Sequence, residues 1–270
     1  PGDNSHYVEG ESRYIWMPDG EGDTSADTLM QNPTNAQILV QNNANSVSSS
    51  NYVASRPLKV IVHGWNGNGN SAVNPLVRDA FLAVSDCNVI VVDWRSAASG
   101  LYTTSVRDVP SVGQFLGNFL SWLISNHGGN WNNVHLVGFS LGAHVVGNAG
   151  RTAGSQARRI TGLDPAGPQW SGNNNALNAN DGQYVEAIHT DGGLQGINDP
   201  IGRTNFYPNG GRNAQPGCLI STCSHSRAYE FFAATIRFNH LIGRQCTNQS
   251  QANSNQCTGG NLAMGQLLII

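Results

Sequence analysis

A run rich in valine and leucine, Val134–Phe139, passes without a break into Ser140, which has glycines two residues to either side, at 138 and 142. No other feature of the chain constrains the fold as much. The run has the length and composition of a buried strand, and Ala143-His144-Val145-Val146-Gly147 reads as the helix that follows it. So abrupt a strand-to-helix turn lifts the serine hydroxyl clear of the strand end. Gly138 and Gly142 let the neighbouring backbones close in around it. The pattern Gly-x-Ser-x-Gly alone arises often by chance. Its strand–turn–helix setting is what makes Ser140 a candidate nucleophile and the turn a candidate nucleophile elbow.

The rest of the chain supplies a sheet for that turn. Leu58–His63, Asn88–Trp94, Arg159–Leu163 and Tyr184–His189 are short apolar runs of strand length. Ser111, after Pro110, is expected to cap a helix carrying Val112, Phe115, Leu116, Phe119, Leu120 and Leu123 at helical spacing. A second helix is expected from His225 to about Phe238, and the Asn- and Ser-rich stretch 41–56 as a loop. Strands alternating with helices imply a mostly parallel central sheet flanked by helices. With the elbow, this is an α/β-hydrolase fold. The 270 residues show no repeat and no linker, and 1–270 reads as one α/β domain.

A serine hydroxyl attacks poorly without a base, and the base needs a carboxylate to orient it. In this fold class the chain order is serine, acid, histidine. Asp164 stands at the end of the next strand, where Pro165 stops it, and His225 follows Cys223 closely. Three other histidines compete. His63 precedes the serine, and His144 lies on the elbow helix, where it is expected to point away. His189, beside Thr190-Asp191, is the chief rival. Oxyanion donors are expected from the backbone N–H groups of Leu141 and of Trp65, the latter in the turn His63-Gly64-Trp65.

The net charge of −3 and the lack of a basic run argue against nucleic-acid binding. No stretch approaches the ~20 apolar residues of a membrane span. Pro1 leads directly into polar, acidic sequence, which suits a processed chain. Cys218 and Cys223 lie close together, as do Cys246 and Cys257, and Cys87 is left over as a thiol. Two short-range pairs suit disulfides and an extracellular setting. A metal site is the alternative, but no Cys-x-x-Cys with matching histidines supports it. Lys59 is the only lysine beside thirteen arginines, and arginine keeps its charge in alkaline fluid, a digestive one included. Lineage bias in composition explains the imbalance equally well. Asn248-Gln249-Ser250 is an N-glycosylation acceptor.

Taken with their neighbours, these motifs resemble the pancreatic-lipase family. The segments that carry the resemblance are His63-Gly64-Trp65, Val137 to His144, Ile160 to Pro168 and Ile188-His189-Thr190-Asp191. Phe206 to Gly211, Gln215-Pro216-Gly217-Cys218 and Cys223-Ser224-His225 complete it. They stand in the family's order and cover about 57 to 260. The resemblance implies Ser140 as nucleophile, Asp164 as acid, His225 as base, and Trp65 and Leu141 as oxyanion donors.

The departures from the family pattern narrow the expectation. Triacylglycerol lipases of the family hold a long lid between the two cysteines that correspond to Cys218 and Cys223. Here only Leu219-Ile220-Ser221-Thr222 separates them. The loop after His189, Gly192 to Ile201, is also short. Short loops of both kinds resemble the phospholipase A1 branch and its insect relatives. Members with a calcium site carry several acidic residues where this chain has Asn173–Asp181 with Asp181 alone, so neither a metal nor a cofactor is expected. No counterpart of the lipid-binding β-sandwich of vertebrate members is expected. The resemblance thus implies a secreted, lidless phospholipase A1 or galactolipid lipase acting at a membrane or micelle surface. A triacylglycerol lipase is the alternative, and a non-catalytic lipid-storage relative the third.

Overall fold

The computed structural model describes residues 14–17, 37–238 and 240–264. Among the described residues, seven strands form one sheet: β1 (Tyr14–Met17), β2 (Leu58–Val62), β3 (Asn88–Val92), β4 (Val134–Phe139), β5 (Arg159–Leu163), β6 (Val185–Ile188) and β7 (Thr204–Phe206). Their order is β1-β3-β2-β4-β5-β6-β7, and every neighbouring pair is parallel. β3, β5 and β6 are buried at every position. A parallel sheet is covered on both faces, which is why β3 reads as a nearly continuous apolar run and why the polar residues of β5 and β6 are buried with their partners. The fold is the α/β-hydrolase type expected from the sequence.

The helices that accompany it are α1 (Ala44–Ser48), α2 (Val73–Val84), α3 (Arg95–Ala98), α4 (Tyr102–His127), α5 (Leu141–Thr152) and α6 (Ser221–Phe238). The chain steps one way along the sheet from β2 to β3, then the other way from β3 to β4 and onward. Right-handed crossovers therefore place α2 on one face and α4 and α5 on the other. The packing agrees: α4 lies on α5, and α2 lies on α6. Phe81 of α2, His135 of β4 and Phe232 of α6 meet edge to face, with centroids about 6 Å apart. A short helix α7 (Gln249–Asn253) and a hairpin of β8 (Ile242–Arg244) with β9 (Asn261–Ala263) follow.

Three local expectations are corrected. Ser111 does not cap a helix, because α4 runs from Tyr102 with Pro110 inside it. Burial of Val106 and Val109, and a 2.7 Å bond from the Ser105 hydroxyl to the Ala97 carbonyl, hold the extra turns and outweigh the donor that proline lacks. The second helix begins at Ser221, one turn before His225, inside the small loop closed by Cys218 and Cys223. Residues 41–56 are not loop throughout, since α1 forms there around the buried Val47. Strand ends differ from expectation by one or two residues, as at His63 and Trp94.

A polar layer crosses the sheet beneath α2 and α6. Arg159 of β5 and Glu186 of β6 are buried and meet at 2.6 Å. Thr161 donates to the same Glu186 oxygen at 2.7 Å and contacts His135 at 2.7 Å. Lys59 of β2 lies nearby, half-buried with its ammonium 5.2 Å from the Phe81 ring centre, and burial lowers its pKa. Removing Arg159 would leave Glu186 charged and unpaired in this layer. Arg159→Ala should therefore lower unfolding free energy by about 3–5 kcal/mol. Urea denaturation checks this, and a loss below about 1 kcal/mol would contradict it.

Candidate active site

In a parallel sheet the crevice for a ligand opens beyond the carboxyl ends of the strands, where the winding direction reverses. Here that point lies between β2 and β4. Ser140 follows β4, and the turn His63-Gly64-Trp65 follows β2. Ser140 has φ +55° and ψ −122°, a conformation strained for any residue with a side chain. Its backbone is held from both sides: its N–H donates to the Leu163 carbonyl at 3.0 Å, and its own carbonyl accepts from Ala166 at 3.2 Å. The glycines of the elbow are required by space. A Cβ at Gly142 would lie 2.4 Å from the Val62 and His63 carbonyl oxygens. One at Gly138 would lie 2.1 Å from the Gly142 carbonyl oxygen.

Asp164 follows β5 in the same manner, fully buried, with φ +39°. Its Oδ1 accepts the N–H groups of Thr190 at 2.7 Å and Asp191 at 3.1 Å. Its Oδ2 accepts from His225 Nδ1 at 2.6 Å. A carboxylate in this position makes Nδ1 the protonated nitrogen and leaves Nε2 as a bare acceptor. The His225 ring packs against Phe139, the residue before Ser140, with centroids 4.5 Å apart. Asp164 and His225 are thus brought into direct contact, and the base stands beside the elbow.

The competing histidines have both ring nitrogens engaged. His63, fully buried, meets the Gly64 carbonyl at 2.9 Å through Nδ1, and its Nε2 lies 3.2 Å from Asp93 Oδ1 and 3.1 Å from the Trp94 nitrogen. His144 bonds the Ala166 carbonyl at 2.9 Å and the Leu177 N–H at 3.1 Å, and stacks on Trp170. Burial holds its pKa down to about 3. His189 bonds the Ile197 carbonyl at 2.8 Å, contacts the Asn205 amide and stacks on Tyr207, and burial lowers its pKa too. Only His225 among these four keeps a nitrogen without a described protein partner.

Among the described residues, no acceptor takes the N–H of Leu141 or Trp65. The 63–65 turn that presents Trp65 is braced from behind: Trp94 donates its indole N–H to the His63 carbonyl at 2.8 Å. The Trp65 indole donates to the Gly100 carbonyl at 3.0 Å and meets Tyr102 edge to face. Both expected disulfides, Cys218–Cys223 and Cys246–Cys257, are formed, and Cys87 is buried outside them. Asp181, the lone acid of 173–181, is bound by Arg151 at 3.0 Å and by the Asn178 N–H at 2.9 Å. The exposed Asn248 side chain caps α7 through Gln251 N–H at 3.0 Å. The parts that sequence reasoning missed are the supports: Thr190 and Asp191 behind the acid, and Asp93 and Trp94 behind the turn. Thr190-Asp191 stood beside the rival histidine, and Asp93-Trp94 ended a strand run. Thr190-Asp191 belonged to one of the segments that carry the resemblance but was given no role, and Asp93-Trp94 carried no motif.

Asp93 provides a pH handle on this scaffold. Burial alone would raise its pKa, but hydrogen bonds and charge from His63 and Arg95 hold it down to about 2. A carboxylate with a depressed folded pKa stabilises fully above its unfolded value of about 4, and loses that contribution as pH falls toward 2. The stability difference between the native chain and Asp93→Asn should therefore shrink as pH drops from 5 to 2. Melting curves across that range check it, and a constant difference would contradict it.

The family described as Lipase matches residues 24–266. Pancreatic triacylglycerol lipase of Myocastor coypus is 33% identical over 267 residues, covering 87% of this chain and 58% of that protein. Phospholipase A1 member A of Rattus norvegicus is 37% identical over 202 residues, 70% of this chain and 44% of that protein. Lipoprotein lipase of Homo sapiens is 35% identical over 225 residues, covering 73% and 47%. The chain spans between 44% and 58% of the length of these relatives. The chain belongs to the pancreatic-lipase family.

Proposed function

We propose that the chain is a secreted serine hydrolase of lipid carboxylic esters, with Ser140, His225 and Asp164 as its triad. The observation that carries this reading is His225, with Nδ1 on a buried carboxylate and Nε2 open beside the elbow serine. Nε2 takes the Ser140 proton as Oγ attacks the ester carbonyl, and Asp164 stabilises the imidazolium that forms. The carbonyl oxygen, now negative, receives the N–H groups of Leu141 and Trp65. One such donor is worth about 10²–10³ in rate. His225 returns the proton to the departing alcohol, leaving a fatty acyl group on Ser140. Water, activated by the same nitrogen, then releases the fatty acid.

The substrate reading is a polar lipid, a phospholipid cleaved as by a phospholipase A1 or a galactolipid. Leu219-Ile220-Ser221-Thr222 is too short to fold over the site and swing aside. Leu219 and Ile220 are exposed, and Ser221 and Thr222 already belong to α6. The exposed Trp65 and Leu101 on one flank, and Leu194 on the other, suit contact with a lipid surface. Two disulfides support an oxidising, extracellular compartment.

Ser140→Ala should abolish hydrolysis of p-nitrophenyl butyrate, and an organophosphate should label Ser140. Asp164→Asn should slow turnover about 10⁴-fold with the fold intact. Residual activity near the native rate in either variant would dismantle the triad. Lipid binding by the native chain without hydrolysis would favour a storage role.

Fatty-acid release from phosphatidylcholine and galactolipid should exceed release from triolein at matched interfacial area. With no gate to open, hydrolysis of a short ester should rise smoothly through its solubility limit. A sharp interfacial jump with triolein preferred would assign the chain as a triacylglycerol lipase instead.

A further inference from the structure

The acid and base of this site stand on elements that no strand ladder joins. Asp164 ends β5, and His225 lies in the second turn of α6, reached after β7 and a long irregular stretch. Something must hold the start of α6 against the sheet end. The Cys218–Cys223 disulfide spans five residues and ties the helix only to the segment just before it. The Ser224 hydroxyl does the same, accepting from the Gln215 N–H at 3.0 Å and bonding the Asn213 side chain at 2.9 Å. Both supports face back into their own loop.

Asp191 reaches across. Its N–H, with that of Thr190, holds Asp164 Oδ1. Its carboxylate Oδ2 accepts the hydroxyl of Ser221, the first residue of α6 and one turn before His225. The Gln195 N–H donates to that same Oδ2 at 3.0 Å, and the Gln195 side-chain amide donates to the Ser221 oxygen at 2.9 Å. Ser221 is thereby gripped from two directions by the segment that carries Asp164's donors. We propose that Asp191 is a positioning residue. It clamps Ser221 through its carboxylate and Asp164 through its backbone, and so sets the separation of the acid and the base. This rests on the reading of Ser140, His225 and Asp164 as the triad.

Asp191 is an expensive way to secure a helix for stability alone. It is fully buried, and its Oδ1 takes no hydrogen bond from a described residue. Burial raises its pKa against the hydrogen bonds from Ser221 and Gln195, and the neighbouring Asp164 charge adds to the rise. The geometry it secures is where the return lies, since about 1 Å of misplacement costs on the order of 10²-fold in rate.

The test compares Asp191→Ala, Asp191→Asn, Ser221→Ala and the Asp191→Ala/Ser221→Ala double variant on a short soluble ester. Native hydrolysis that Ser140→Ala abolishes and Asp164→Asn slows about 10⁴-fold establishes the triad reading independently, so the four variants bear on the clamp alone. Asp191→Ala and Ser221→Ala should each lower kcat by about 10–100-fold with KM within about twofold. The double variant should be no slower than the worse single, because both break one connection. Asp191→Asn, whose amide oxygen still accepts both bonds, should recover most of kcat. Organophosphate labelling of Ser140 should slow in parallel with kcat. Additive losses, an unchanged kcat, a change confined to KM, or an asparagine variant as slow as alanine would each overturn the proposal. If Asp191→Ala does not fold, Ser221→Ala, with Asp191 intact, decides by the same kcat criterion.

Discussion

The structure turns on one close approach. At Gly142 the first turn of α5 lies so near the end of β2 that the Val62 and His63 carbonyl oxygens occupy the space a side chain would need. That contact follows from β2 and β4 being neighbours in the sheet. It also brings two backbone segments of unrelated origin, the elbow and the 63–65 turn, to a common point. A Cβ at Gly64 would sit 2.8 Å from the Ser140 Cβ. The backbones that carry Leu141 and Trp65 meet there with nothing larger than hydrogen between them.

Ser140 and Asp164 share a second property: each leaves its strand with a positive φ. Such residues cost about 1–3 kcal/mol apiece unless their surroundings over-determine them. The sheet does so by continuing its bonding past the strand ends. The Ser140 N–H reaches the Leu163 carbonyl, and the Asp164 N–H reaches the Ile188 carbonyl at 2.7 Å. The strain is thus carried by adjacent strands in series, β4 by β5 and β5 by β6. The side chains project from the sheet end while their backbones remain part of it.

How much of this was legible in the sequence depends on whether the cause was local. The strands and the elbow were, because burial on both faces and a glycine-flanked serine leave marks within a few residues. The early start of α4 was not, because Pro110 reads as a helix boundary and the burial of Val106 and Val109 that overrides it is tertiary. Nor was the choice among histidines settled by residue type or strand position. Which ring nitrogens are already bonded is tertiary information: Ile197 and Asn205 occupy both of those of His189. The role of Thr190 and Asp191 was not legible for a similar reason: their contribution to Asp164 is made by backbone N–H groups, which every residue but proline possesses.

The buried Arg159–Glu186 pair has a consequence for how the sheet assembles. In register, His135 stands opposite Arg159 and Thr161 opposite Glu186, so one polar seam runs across β4, β5 and β6. Side chains alternate between faces along a strand, so a slip of one residue between β5 and β6 would send Arg159 and Glu186 to opposite sides of the sheet. Apolar side chains in these strands are nearly interchangeable and would tolerate such an error. Two separated charges in a dry interior would not. The pair therefore favours the β5–β6 register in which Thr190 and Asp191, beyond the end of β6, meet Asp164 beyond the end of β5.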